Sequence, residues 1–265
     1  MGAFFKRASK DTNSISWFAG LARSLDTGSN SSQVDVNIVR ACEAITERLI
    51  KLGFTGSKFS KTMSELANLI QSDESSFFDR GLQILGTYLG FESEKPEGEA
   101  APDAVWCFSN RLALAFEARK EETPSEPISI KTVRQALTHA QWVCSHRQMT
   151  DDAKIIVIVV TSRSSIKAEA KQNADDLYYL SPDKLRALEV SLSAALRRVR
   201  DRTTPIDAGA ITKAIWEEFH SSRLLLPELI STLTERRLDT LPEAVIQAKP
   251  SETVDNHMSA QSTTP

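Results

Sequence analysis

Cysteine is scarce in this sequence. There are three in 265 residues, Cys42, Cys107 and Cys144, and none forms a CxxC pair. That scatter excludes a disulfide framework and a cysteine-built zinc site, and it fits a reducing, cytoplasmic setting. Long apolar runs are lacking as well. The longest, IIVIVV at 155–160, has six residues, far short of the roughly 20 needed to cross a bilayer. It reads as a buried strand, and no membrane association is expected. The opening MGAFFKRASK has no apolar stretch of signal-peptide type, and Lys6 stands where a myristoylation motif requires Ser or Thr. Neither sign of charge dominates: 32 Lys and Arg face 35 Asp and Glu, a formal net charge of −3. Contact with nucleic acid would therefore have to come from a local basic patch or from metal ions. The absence of a P-loop, a GxGxxG and a GxSxG leaves ATPase, dinucleotide-binding and hydrolase-elbow readings without support.

What is present is a chain 41% hydrophobic, enough for one well-buried core with room for a helical appendage. Residues 1–32, rich in Ser, Asn, Thr and Lys, read as a loosely attached arm. Helical spacing of Val36, Val39, Ile45, Leu49 and Leu52 predicts a helix over 34–52 with Gly53 as its stop. Further helices are expected over 61–71 and 77–89. The period then changes: 104–108 and 112–118 read as strands, followed by a loop at 121–127 and a helix over 129–147. Residues 155–161 form the clearest strand, and 176–180 a shorter one. Pro182 opens a long helix ending in LRRVRDR. Helices over 208–221 and 226–237 follow, and 249–265 lacks the apolar residues to fold. The pattern predicts an α/β fold: a central mixed sheet flanked by helices over 77–203, a helical extension over 1–76, and another over 204–248.

The hairpin PDAVWCFSNRLALAFEARKEE, residues 102–122, carries the chemistry. With a two-residue turn at Ser109-Asn110, Asp103 would pair with Phe116 and point away from Glu117. With a three-residue loop at 109–111, Asp103 faces Glu117. One face then carries Asp103, Val105, Cys107, Ala113, Ala115 and Glu117, and the other Trp106, Phe108, Leu112, Leu114 and Phe116. The second register segregates the large apolar residues, so burial selects it. Like charges directly opposed across a sheet repel, and a cation between them removes the repulsion. Mg²⁺ commonly binds one or two carboxylates plus waters and substrate phosphate. Arg119, two residues beyond Glu117, shares its face, whereas Lys120 points to the other face unless the strand bulges.

Pro102-Asp103 followed by Glu117-Ala118-Arg119 resembles the motif of the PD-(D/E)XK nuclease superfamily, whose core is the restriction-endonuclease-like fold. FFDRGLQILGTYLGF at 77–91 resembles its first core helix, with Asp79 where an acid completes the metal shell in one subgroup. SIKTVRQALTHAQW at 129–142 resembles the helix after the catalytic strand, with Gln135 where that helix often carries Gln and His139 one turn later. The resemblance spans residues 77–180. It implies a Mg²⁺-dependent DNA nuclease, with Mn²⁺ as a substitute, that is an endonuclease in preference to an exonuclease. Asp79, Asp103 and Glu117 would be its metal ligands. Its catalytic residues would be Asp103, Glu117 and a cation, either Arg119 or Lys120. Its helicase-linked members imply bacterial anti-phage defence or DNA processing beside a helicase or ATPase partner. The chain departs from the family by placing Arg119 where Lys is usual. Arg keeps the charge, but it is bulky, planar and does not deprotonate. The alternative is a catalytically decayed module of this fold that binds DNA or a partner protein.

Gln135, His139, Trp142 and His146 share one stripe of the 129–147 helix. Ile130, Val133, Leu137, Ala140 and Cys144 share the opposite stripe, expected to pack on the sheet. Gln135 and His139 are accordingly expected on a substrate-facing or interdomain surface. Arg197, Arg198, Arg200 and Arg202 read as a solvated helix end in preference to a phosphate clamp. Glu99 is an outside candidate for the metal shell, and Leu224–Leu226, Ile230 and Leu233 form an apolar stripe expected to meet a partner.

Overall fold

The computed structural model describes residues 36–98, 100–119, 123–203 and 207–244. The arm at 1–32, Glu99, Lys120 and the tail at 249–265 lie outside the described residues. Three helices come first: α1 (Val36–Leu52), α2 (Ser57–Gln71) and α3 (Ser75–Tyr88). The strands β1 (Glu92–Glu94), β2 (Ala104–Phe108) and β3 (Leu112–Arg119) follow, then α4 (Ile130–His146) and β4 (Lys154–Thr161). The remainder is α5 (Ala168–Lys171), β5 (Leu177–Leu180), α6 (Pro182–Arg202), α7 (Ala208–Ser221), α8 (Leu226–Leu233) and a 3₁₀ turn at Leu238–Thr240. Several boundaries follow from capping side chains. Ser129, Ser181 and Asp207 each accept a hydrogen bond from the backbone N–H three residues on, at the starts of α4, α6 and α7. The last helix stops at Leu233, four residues short of the predicted 237.

The five strands form one mixed sheet in the order β1-β2-β3-β4-β5. β2 is antiparallel to both β1 and β3; β4 runs parallel to β3, and β5 parallel to β4. Between β2 and β3 the register is Ala104↔Phe116 through Phe108↔Leu112. The connection is therefore the three-residue loop at 109–111, with Ser109 taking the positive φ of 55° that the loop requires. Thr150 ties this loop down, its backbone N–H donating to the Asn110 carbonyl at 2.9 Å.

Alternation along β2 and β3 divides the interior into two layers. On one face Trp106, Phe108, Leu114 and Phe116 pack with Ile156, Ile158 and Val160 of β4. This layer is continuous with buried residues of α1, α2, α3, α6, α7 and α8. On the other face Val105, Ala113, Ala115, Val157 and Val159 meet Val133, Ala136 and Val143 of α4. The helices read from sequence as N- and C-terminal extensions thus share a single apolar layer with the sheet. Leu224, Leu225, Leu229 and Leu233 are buried in that layer, with Leu226 and Ile230 packed against it. The apolar stripe expected to meet a partner is consumed by the chain's own core. Two of the arginines ending α6 are likewise engaged internally: Arg198 pairs with Glu218, and Arg202 with Glu217 and Glu218. No helix among the described residues is long and apolar enough to cross a membrane.

Close packing joins α3 to β2. The Trp106 indole N–H donates to the Leu82 carbonyl at 3.0 Å, and its ring lies over Gly86. A Cβ at position 86 would fall 2.6 Å from Trp106 Cδ1 and Cε2, closer than any relaxed contact. Gly86→Ala is expected to destabilise the fold by ~2–3 kcal/mol through overpacking, read as a lowered urea midpoint. An unchanged midpoint would mean that α3 and β2 are not locked together.

Candidate functional site

The beginning of β2 and the end of β3 are brought side by side by their register. Asp103 precedes β2, and its backbone N–H donates to the Phe116 carbonyl at 2.9 Å. Its Oδ2 accepts from the Ala118 N–H at 2.6 Å. The Asp103 carboxylate thus lies against the β3 backbone at the residue just beyond Glu117. In β3, Glu117 is level with Val159 of β4 and Arg119 with Thr161. The acids therefore lie at the carboxyl-terminal edge of the parallel strands, where open α/β sheets commonly place ligands.

Glu117 is almost wholly buried. Its Oε2 lies 2.6 Å from His139 Nε2, and Oε1 forms an ion pair with the Arg119 guanidinium. Arg119 also donates to Gln135 Oε1. His139 is itself fully buried, and its Nδ1 has no hydrogen-bond partner among the described residues. The Glu117 contact therefore requires the ring proton on Nε2. This corrects the expected orientation of α4. Its buried face is Thr132, Val133, Ala136, His139 and Val143, while Leu137 and Cys144 are exposed. A hydrophobic reading of the helix points His139 outward, whereas the carboxylate on β3 draws it in. Burial of a polar ring is tolerated when its proton meets an acceptor. His139 accordingly contacts Glu117 and presents no surface to substrate. Gln135, half-buried, touches the cluster through Arg119.

Asp79 approaches from the other side of the sheet. The helix carrying it, α3, packs on the Trp106 face and not over Ala113 and Ala115, which lie beneath α4. Asp79 is buried, and its Oδ2 accepts from Lys95 Nζ at 2.9 Å. Its charge is nevertheless felt at Asp103. Burial pushes the Asp103 carboxyl up to about 6; Glu117 and Asp79 add to the rise, while the Ala118 N–H and Arg119 oppose it.

The expected three-carboxylate metal shell is not preformed: among the described residues no three His, Cys, Asp or Glu side chains are grouped to hold an ion. The physical reason is that Glu117 is engaged by His139 and Arg119, and Asp79 by Lys95. The donor chemistry still suits Mg²⁺. The carboxylates are hard oxygen donors, and Mg²⁺ is usually held by one or two carboxylates without an all-protein cage.

Two functional candidates escape sequence reasoning. Lys95 follows the three-residue edge strand β1, too short and too charged to announce itself as a strand. Arg163 comes just after β4 and is buried; it donates to the Pro127 carbonyl at 3.2 Å and to Glu126 Oε2 at 2.6 Å. It thereby braces the segment leading into α4, though no motif singles it out.

The raised Asp103 pKa has a definite consequence. The folded chain binds this proton more tightly than the unfolded chain does. The group's stabilising contribution is therefore complete below about pH 4 and is lost as pH rises towards 6. Asp103→Asn keeps an acceptor for the Ala118 N–H. It is expected to gain ~1–2 kcal/mol over wild type at pH 8 and little at pH 4. Urea titrations across this range check it, and parallel pH profiles for the two proteins would contradict it. His139→Ala removes the donor from a buried carboxylate and is expected to cost ~2–3 kcal/mol, with His139→Gln recovering part. Equal stability of the Ala and Gln variants would show that the contact carries no weight. Comparison with protein-family models, with curated proteins and with solved structures finds no match to this chain.

Proposed function

We propose that the chain is a Mg²⁺-dependent DNA nuclease built on a restriction-endonuclease-like core, acting as an endonuclease. The observation that carries this reading is two acids gathered at the carboxyl-terminal end of β3: the Asp103 carboxylate accepts from the Ala118 N–H, next to Glu117, whose own carboxylate pairs with the Arg119 guanidinium. An acidic pair held against its own repulsion, flanked by a cation, is an arrangement suited to phosphodiester hydrolysis. Asp103 and Glu117 would hold the ion, with Asp79 close by. When bound, the metal supplies a water of lowered pKa and offsets negative charge on the phosphate. Arg119 supplies fixed positive charge for the phosphate oxygens, kept in place by Glu117 and Gln135. His139 holds the Glu117 carboxylate in one orientation from beneath. The resemblance of the motif to helicase-linked nucleases extends the proposal to bacterial anti-phage defence or DNA processing with a helicase or ATPase partner.

The second reading, a decayed module that binds DNA or a partner protein, draws support from the same residues. Glu117 has contacts to both oxygens without any metal, and Arg119 replaces the usual Lys. Plasmid nicking with Mg²⁺, Mn²⁺ or EDTA separates the two.

Under the nuclease reading, Asp103→Ala and Glu117→Gln abolish Mg²⁺-dependent nicking and retain the wild-type circular dichroism spectrum. Arg119→Ala is expected to lose ~10²–10³-fold in single-turnover rate, the scale of removing one preorganised charge stabiliser. Arg119→Lys should equal or exceed wild type, and Lys120→Ala should be mild. Near-wild-type nicking by Asp103→Ala overturns the metal assignment. A harmless Arg119→Ala paired with a damaging Lys120→Ala transfers the cation's role to Lys120.

A further inference from the structure

The two edges of the sheet are finished differently. At the β5 edge the chain covers its own strand: the Tyr179 N–H donates to the Arg236 carbonyl at 2.8 Å, and Tyr178 bridges to Arg237. At the opposite edge, β1 pairs with β2 alone. Among the described residues, the backbone of 92–94 makes no hydrogen bond outside that ladder. Alternate residues of an edge strand turn their N–H and C=O groups outward, where a further strand can pair with them.

A groove of about 310 Å³ follows this bare edge. Residues 91–94 line it in succession, between Arg48 of α1 and Arg147, just past α4. The two faces of β1 differ in chemistry. Glu92 and Glu94 stand opposite Cys107 and Val105, on the side of the sheet that α4 covers. Ser93 stands opposite Trp106, on the side of α1 and α3, and its hydroxyl is buried with no partner among the described residues. Arg48 comes from that same side and donates to the Thr87 carbonyl, which occupies only part of its five-donor fork. Arg147 pairs with Glu94, while Glu92 is exposed and makes no ion pair among the described residues.

We propose that the β1 edge docks an extended segment of a partner protein, which adds to the sheet as a sixth strand. That segment carries Lys or Arg beside Glu92 and Glu94, and Asp or Glu between them, towards Arg48 and the Ser93 hydroxyl. Charge selects this occupant, because opposite charges stabilise cross-strand pairs and like charges repel. A second copy pairing antiparallel about Ser93 would set Glu92 against Glu94 twice. The acids that keep a short edge from indiscriminate pairing thus specify a basic–acidic–basic strand. Docking here involves neither Asp103 nor Glu117 and stands apart from the nuclease reading.

Two fluorescein-labelled peptides test it on the full chain: Thr-Val-Lys-Asp-Lys-Val-Thr, and a charge-reversed form with Glu-Lys-Glu at its centre. In fluorescence anisotropy the first is expected to bind wild type roughly tenfold more tightly than the second. Glu92→Lys should narrow or invert that preference. By NMR-detected hydrogen exchange, the outward-facing amides of 92–94 should exchange freely in the free chain and slow about tenfold with saturating peptide. Absence of binding, equal binding of the two peptides, or binding without protection of 92–94 overturns the proposal. Protection already present in the dilute free chain assigns the edge to the chain's own residues, and protection that grows with protein concentration assigns it to a second copy. Either of those results also overturns it.

Discussion

The pairing register of β2 with β3 is the constraint on which the rest depends. Side chains alternate with a period of two, so a slip of one residue would exchange the faces of one strand relative to the other. Either Trp106 and Phe108 or Leu114 and Phe116 would leave the large helical layer, with smaller residues left to fill their space. Burial of two large side chains, each worth roughly 1.5–3 kcal/mol, outweighs the repulsion between two acids at a strand end. The same choice that packs the core brings the Asp103 carboxylate to the Ala118 N–H, beside Glu117. The acidic site is a by-product of the best apolar packing, and its electrostatic cost is met locally.

That cost is met in three ways. Asp103 accepts from the Ala118 N–H and still has its carboxyl pushed up by burial and by neighbouring acids. Glu117 draws a buried histidine to one oxygen and an arginine to the other. Asp79 takes Lys95 from the neighbouring edge strand. Buried charges persist only when paired or hydrogen-bonded, and each acid here is compensated by a different element. These contacts tie β1 to α3, the start of β2 to β3, and β3 to α4. They also explain why no metal cage stands ready among the described residues: the carboxylates are already engaged by the chain's own donors.

Compensation of another kind governs the helices. The sheet offers one face to α4 and the other to a layer built from both ends of the chain. Ile211, Ile215 and Phe219 of α7 lie in the same cluster as Leu196 of α6 and Trp106 of β2. Removing the C-terminal helices would uncover the layer that supports the site's own strands. A division into a catalytic core and separable appendages, natural when motifs are read along the chain, does not match how apolar surface is buried.

Much of the fold was legible because it rests on local pattern. Strand 104–108 and helix 208–221 coincide with the observed elements, and most other boundaries fall within a residue or two, because period, capping residues and Pro182 act locally. The clearest departures are the start of α2, four residues earlier than expected, and the end of α8. The three-residue connection at 109–111 was legible too, since alternation over two adjacent strands leaves one register that segregates the large residues. What the sequence could not decide lies between elements distant in the chain. The inward turn of His139 depends on Glu117 standing across from it, 22 residues away. The union of Lys95 with Asp79 depends on β1 adding to the sheet edge. The burial of the Leu224–Leu233 stripe depends on α8 closing over a layer begun by α1. Hydrophobic period alone assigns a polar residue to solvent and an apolar stripe to whatever lies nearby. Only the packed structure supplies the buried acceptor that reverses the first assignment and the neighbouring helix that completes the second.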